Sequence, residues 1–294
     1  MLIGSHVSFG SEQLLGSAKE AVSYGANSFM FYTGAPQNTI RKNIDLELLK
    51  KAHEFMEENG IDISHVICHA PYIVNLANRK EEKKWQFSVN FLKNELSRCD
   101  QMGVKYMVLH PGSSVGQEKE EAMKNIVDGL MLLLKENYGC KILLETMALK
   151  GTEIGSLEDI EYFLENTNYQ VGVCLDTCHL NDAGINLSDV DLFLSMIDEK
   201  IGLDHVYCVH LNDSKNPLGS KKDRHDNIGY GTIGFDVLCK IAHHEKLKEI
   251  PKILETPYIG DTREDSDKKY APYKHEIQML KNQHFDLNLY QKHL

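Results

Sequence analysis

Residues 171–182 read VGVCLDTCHLND, which places Cys174, Cys178, Asp176, Asp182 and His179 within nine positions. Cysteines would suit a structural zinc site, and Asp with His a catalytic one. The rest of the chain decides between them. His6, His69, His110, Glu145, His210 and Glu255 each stand at or near the end of a short apolar run. The run KKDRHDN (221–227) adds Asp223 and His225, alternate residues that face one centre if the segment is extended.

These residues must be positioned by regular elements. Strands are expected at 1–8, 27–33, 63–70, 105–110, 141–146, 171–177, 205–212 and 251–256, all apolar through their centres as in parallel strands buried on both faces. Helical patterns fall between them, at 12–25, 45–60, 84–103, 120–139, 156–166, 188–202 and 235–247, with a last one near 273–282. Eight strand–helix units predict an α/β protein, a (β/α)8 TIM barrel closing as one domain over residues 1–294. Active sites of such barrels lie at the C-terminal ends of the strands. The third to eighth strands then end at His69, His110, Glu145, Asp176, His210 and Glu255, and the loops add His179, Asp223 and His225.

Four carboxylates and five imidazoles on one rim would be severely destabilising without cations. Nine such ligands suit three ions if one carboxylate bridges, and a mixed N/O set favours Zn2+ or Mn2+ over Mg2+ or an iron–sulfur site. Asp176 is read as a rim residue and Cys174 as core one layer deeper. Cys178 is read as packing or as a supporting residue, and Asp182 as a loop or helix-cap residue. His53, His243, His244 and His275 fall in helical patterns, His65 and His205 start strands at the opposite end, and His284 and His293 lie in the tail; all are read as structural or solvated.

The chain has 294 residues, 42% hydrophobic and 26% charged, as expected of a globular protein. No apolar run approaches the length of a membrane span, and MLIGSHVSFG has no basic stretch followed by a long apolar one, so a cytoplasmic protein without membrane association is expected. Seven cysteines without a C-x-x-C pair predict free thiols. No P-loop is present. GSSVG (112–116) matches G-x-S-x-G, but Ser114 lies four residues beyond His110, out of place for a nucleophile elbow.

HPGS (110–113), LLETMALKGTEIG (143–155), CLDTCHLNDAG (174–184), HLNDSKNPLGSKKDRHDNIGYGTIG (210–234) and ILETP (253–257) closely resemble the endonuclease IV family of apurinic/apyrimidinic (AP) DNA-repair endonucleases, and the resemblance runs from residue 1 to about residue 282. It implies a TIM barrel with a trinuclear zinc centre. His69, His110 and Glu145 would hold one ion. Glu145 would bridge to a second, also held by Asp176, His210 and Glu255. His179, Asp223 and His225 would hold the third. The implied reaction cuts the phosphodiester 5′ to an abasic site, leaving a 3′-hydroxyl and a 5′-deoxyribose phosphate, and also trims blocked 3′ ends. Glu145 would position the attacking hydroxide and Glu255 assist as general base.

The family bends DNA and pushes loop side chains into it. Here the loops after the second and third strands (33–42 and 70–80) offer Tyr72, Gln37 and Asn38 as wedges and Asn75 as a phosphate contact; Tyr72 could equally be a loop aromatic packed on the rim. Arg41, Lys42, Arg79, Lys80, Lys150, Lys215, Lys221, Lys222 and Arg224 are expected to face double-stranded DNA, the acidic runs to lie on outer helices. Three divalent ions would bring the formal charge from −11 to −5. A monomer suffices for one such site. The alternatives are a metal-dependent sugar isomerase or epimerase on a similar barrel, which would not need the third ion, and a DNA-damage-binding module, which would not need a complete cluster.

Overall fold

The computed structural model describes residues 1–265 and 267–290, so His293 lies outside the described residues. Eight parallel strands are present: β1 (Ile3–Ser5), β2 (Phe29–Phe31), β3 (Val66–His69), β4 (Tyr106–Leu109), β5 (Lys141–Glu145), β6 (Gly172–Asp176), β7 (Val206–His210) and β8 (Lys252–Leu254). Each pairs with its sequence neighbours, and β8 pairs with β1. A parallel bridge between His6 and Met30 joins β1 to β2 and closes the barrel, with Val7 N–H donating to the Met30 carbonyl at 2.8 Å. The expected (β/α)8 architecture is the observed one.

The barrel interior is a layer with one apolar residue from each of seven strands: Met30, Ile67, Val108, Leu143, Cys174, Cys208 and Ile253. β1 contributes Gly4, in register with Ile253; an added Cβ there would run into the Ser28 carbonyl. The opposite strand faces join the helices in the larger outer core. The buried layer is the reason the strands read as continuous apolar runs.

The helices are α1 (Gln13–Ser23), α2 (Leu46–Glu58), α3 (Glu82–Met102), α4 (Lys119–Leu134), α5 (Leu157–Asn166), α6 (Thr177–Ala183), α7 (Val190–Ile201), α8 (Phe235–His243) and α9 (Tyr273–Asn282). Local chemistry starts several of them: Ser156 and Asp159 form a capping box on α5, and Asp45 and Asp189 cap α2 and α7. α4 stops before the predicted 139, and α8 gives way to a separate turn at Glu245–Leu247. His65 and His205 close single 3-10 turns that lead into β3 and β7.

Two features were not expected. α6 begins directly at the end of β6, with no turn residue between to announce it. Two short antiparallel pairs decorate the rim, Gly112–Ser113 with Glu153–Ile154 and Asp213–Ser214 with His225–Asp226. The first pair makes GSSVG a ribbon segment, not a strand-to-helix elbow. The second folds the 215–224 loop back on itself and returns Asp223 and His225 to the barrel mouth.

Candidate metal centre

The C-terminal rim collects the predicted residues. His69, Glu145, Asp176 and His210 are the last residues of β3, β5, β6 and β7, while His110 and Glu255 follow β4 and β8 by one position. His179 comes from α6, and Asp223 and His225 from the returning ribbon. Glu145 stands at the centre. Its Oε2 lies 3.2 Å from His69 Nε2 and 3.1 Å from His110 Nε2, and its Oε1 lies 3.2 Å from both His179 Nδ1 and His210 Nδ1. Glu255 Oε2 is 3.1 Å from His210 Nδ1. Asp176 Oδ2 is 3.8 Å from His210 Nδ1 and 3.7 Å from His225 Nε2. Asp223 Oδ1 is 3.0 Å from His179 Nε2 and 3.8 Å from His225 Nε2.

Three sets of donor atoms lie within 4.8 Å of one another: His69, His110 and Glu145; Glu145, Asp176, His210 and Glu255; and Asp176, His179 and His225. Glu145 is common to the first two sets and Asp176 to the last two. Asp223 flanks the third set through its approaches to His179 and His225. A further set, Cys174, Cys208 and His210, lies in the fully buried part of the barrel beneath His210. Cys174 is thus core, as expected, and also borders a rim histidine. Cys178 is buried in α6 and joins none of these sets among the described residues. All seven cysteines are free and buried.

The electrostatics call for positive charge among the carboxylates. Burial alone would raise the Glu145 and Glu255 carboxyls; His210 facing both, and His110 facing Glu145, hold them low instead. Burial would lower His110, His179 and His210; the carboxylates opposite His110 and His179, and Cys174 with Glu255 and Glu145 around His210, overturn that and hold all three up. Only protons or bound cations can balance such a cluster. The imidazoles are also oriented as ligands are. His69 Nδ1–H donates to the Ala70 carbonyl at 2.6 Å, His179 Nδ1–H to the Thr146 carbonyl at 2.9 Å and His225 Nδ1–H to the Glu255 carbonyl at 3.2 Å. A histidine anchored through one nitrogen presents the other to a metal. The buried Nε2 of His225 has no hydrogen-bond partner, although two carboxylates stand near it. The residues present fit a metal cofactor, with several sets of donor atoms that could hold an ion.

A supporting layer went unnoticed in the sequence. Asn212 donates to Asp176 Oδ2 at 2.8 Å and accepts from the Glu255 N–H at 2.8 Å. The Thr177 hydroxyl donates to the Asn212 carbonyl at 2.6 Å, and Thr146 Oγ1 accepts from the Asp176 N–H at 3.0 Å. The available signal was position, since each lies one or two residues past a strand-end ligand. Tyr32 packs its ring 5.1 Å from His69 and 4.9 Å from His6. His6 bridges to Met30 and borders this cluster instead of joining any metal-capable set among the described residues. Asp182 is neither a loop residue nor a cap; it is fully buried within α6.

The rim loops divide more sharply. Tyr72 is 56% exposed and Gln37 is exposed, both free to meet a ligand. Asn38 Oδ1 accepts from the Ile40 N–H at 3.0 Å, shaping its own turn. The Asn75 amide is spent internally: it donates to the Ser113 carbonyl at 2.8 Å and accepts from the Ala77 and Ser113 N–H groups at 3.0 and 3.1 Å. Arg41 does not face outward. Its guanidinium is buried, paired with Glu95 at 3.0 Å and donating to carbonyls of its own loop. Arg79 stacks on Trp85 and pairs with Glu82 and Asp128. Lys42, Lys80, Lys150, Lys215, Lys221, Lys222 and Arg224 are exposed.

Comparison with known proteins agrees with this architecture. The family described as xylose isomerase-like TIM barrel matches residues 18–283. A protein of Acholeplasma laidlawii (strain PG-8A) named Probable endonuclease 4 is 49% identical over 98% of this chain and 98% of its own. The chain belongs to the endonuclease IV family. As a member of the endonuclease IV family it is an enzyme, a phosphodiester hydrolase of the AP endonuclease type acting on DNA. The crystal structure of endonuclease IV from Thermus thermophilus superposes with a TM-score of 0.79 at 27% identity, covering 96% of this chain and 98% of that one. A D-tagatose 3-epimerase-like protein reaches 0.66 at 19% identity over 100% and 99% of the chains, a likeness of fold alone. Among the described residues no helix is long and apolar enough to cross a membrane.

Proposed function

We propose that the chain cuts double-stranded DNA on the 5′ side of an abasic site, leaving a 3′-hydroxyl and a 5′-deoxyribose phosphate, and clears blocked 3′ ends. Three Zn2+ ions are assigned, with Mn2+ able to replace one or more. His69, His110 and Glu145 hold the first; Glu145, Asp176, His210 and Glu255 the second; His179, Asp223 and His225 the third. The observation that carries the reading is Glu145, whose two oxygens stand 3.1–3.2 Å from four histidines on four different elements. A one-ion barrel has no use for that convergence.

Bound ions supply positive charge that neutralises phosphate oxygens, makes a bound water acidic and stabilises the departing alkoxide. The protein's own groups do the rest. Glu145, buried and fixed by its neighbours, holds the position between the first two sets. Glu255 keeps a 19% exposed side chain and a carboxyl held low by His210, so it is ionised near neutrality and accepts the proton of the attacking water. Exposed Tyr72, with exposed Gln37 from the preceding strand's loop as a second wedge, fills the space left by the missing base, and the abasic nucleotide is the one cheapest to unstack. The exposed lysines on the 215–222 loop meet the backbone phosphates.

The test is elemental analysis together with cleavage of a duplex carrying one abasic analogue. Close to three equivalents of metal, with incision 5′ to the lesion abolished in His179→Ala, is the expected result. A Glu255→Gln protein with full metal content and full rate would remove Glu255 from the mechanism. One or two equivalents of metal with turnover of a free ketose and no incision would replace the whole reading.

A further inference from the structure

Three residues beyond His179, α6 carries an acidic side chain that belongs to no metal-capable set among the described residues. Asp182 is 0% exposed. Its Oδ1 accepts from the Ser214 hydroxyl at 2.7 Å and from the Asn181 amide at 3.1 Å. Its Oδ2 accepts from the backbone N–H of Asp223 at 2.9 Å and from the Asn216 amide at 3.3 Å. Its carbonyl takes the Lys221 N–H at 2.9 Å, and the neighbouring Asn181 carbonyl takes the Gly219 N–H at 2.9 Å. One short stretch of α6 therefore grips the 214–223 segment at Ser214, Asn216, Gly219, Lys221 and Asp223.

The grip falls where the loop needs it. Lys221 and Asp223 sit at φ 53° and 55°, the left-handed region that residues with a Cβ enter only when their surroundings over-determine it. The Asp223 N–H bond to a buried carboxylate is charge-assisted, the stronger class of hydrogen bond. Since Asp182 rides one helical turn from His179, it ties the backbone of Asp223 to the element that bears His179. The 3.0 Å approach of Asp223 Oδ1 to His179 Nε2 follows from that tie.

We infer that Asp182 is a positioning residue for the His179–Asp223–His225 site, holding the Asp223 backbone in place before any ion arrives. The inference rests on the three-ion reading for its metal consequence, but not for its structural one. Asp182→Asn keeps the shape of the side chain but removes its charge and one of its two acceptor oxygens, so the four donors around it can no longer all be satisfied. Ser214→Ala removes one donor and serves as the milder variant should Asp182→Asn fold poorly.

Two readouts separate positioning from a general contribution to folding. The first is amide hydrogen exchange on protein stripped with a chelator. In Asp182→Asn the amides of residues 221–225 should lose protection while those of α5 keep theirs. The second is competition for Zn2+ against a chromogenic chelator. One equivalent should weaken by about 10–100-fold, the range for loss of a ligand's supporting partner, while the other two hold. Unchanged exchange at Asp223 in the stripped variant, or equal weakening of all equivalents, overturns the inference. If the unmutated protein binds fewer than three ions, the functional reading fails, and the exchange result on stripped protein still decides the role of Asp182.

Discussion

The carboxylate of Asp176 accepts the backbone N–H of His179 at 2.7 Å, so one metal-ligand candidate is the N-cap of the helix that carries another. Its other oxygen faces Asn212 and His225. Asp176→Asn preserves a capping oxygen, whereas Asp176→Ala removes it, a loss of about 1 kcal/mol. Both variants should lower metal affinity by at least about 10–100-fold. Thermal unfolding of the stripped proteins should then rank Ala below Asn, while incision rates of the two fall together.

Chelation should reverse the pH dependence of stability. In the stripped protein His110 and His179 are held above their ordinary range by the carboxylates that oppose their burial, and His210 by Cys174 together with Glu255 and Glu145. Raised groups of this kind stabilise fully below the unfolded value of about 6.5, and that contribution is lost as pH rises through the folded values. Glu145 and Glu255 are held low against the effect of burial, chiefly by His210, so their contribution is present above about 4.3 and is lost as pH falls through the folded values. Stripped protein should therefore be most stable between about pH 4.5 and 6.5 and weaken above that window. Metal-loaded protein should gain stability as pH rises toward neutrality, because its ligands must shed protons to bind. Calorimetry across pH with and without chelator checks both slopes; parallel curves would contradict the cluster's proposed occupancy.

Tyr72 should matter to DNA and not to folding. With 56% of its surface exposed, Tyr72→Ala should shift stability by no more than about 0.5 kcal/mol. Loss of an aromatic face that stacks in the lesion should weaken binding of abasic duplex by about 1–3 kcal/mol. Equal binding by both proteins would return Tyr72 to ordinary rim packing.

Arg41 predicts the opposite pattern. It is buried against Glu95, itself fully buried, so Arg41→Ala removes the 3.0 Å ion pair and leaves Glu95 only the longer 3.9 Å approach of Arg98 and the Thr33 hydroxyl, at a cost of up to about 3–5 kcal/mol. It should leave the salt dependence of DNA binding unchanged. Lys221→Ala, on the exposed 215–224 loop, should do the reverse, leaving the melting temperature alone and reducing the slope of log K against log salt by about 1. Binding titrations at several salt concentrations distinguish the two.

Much of this protein is legible from its residues alone. A parallel strand buried on both faces must be apolar along its length, and a polar residue ending such a run must sit at a barrel mouth; that is why His69, Glu145, Asp176 and His210 could be named by position. The DRH spacing similarly announced Asp223 and His225. Other properties depend on partners distant in sequence. Arg41 and Lys42 are adjacent basic loop residues, but only folding brings Glu95 under the first and leaves the second in water. Asn75 carries a free amide in any linear reading and loses it to Ser113, 38 residues away. Asp182 looked like a helix end because nothing local marks α6, a helix that starts without a turn and is capped by a residue already assigned to the rim. Its partners Ser214, Asn216 and Asp223 arrive from the next loop. Local sequence determined which residues reach the rim, through the alternation and burial of single strands. The tertiary structure decided which of them remain available there, because hydrogen-bonding capacity is spent on whatever the fold brings within reach.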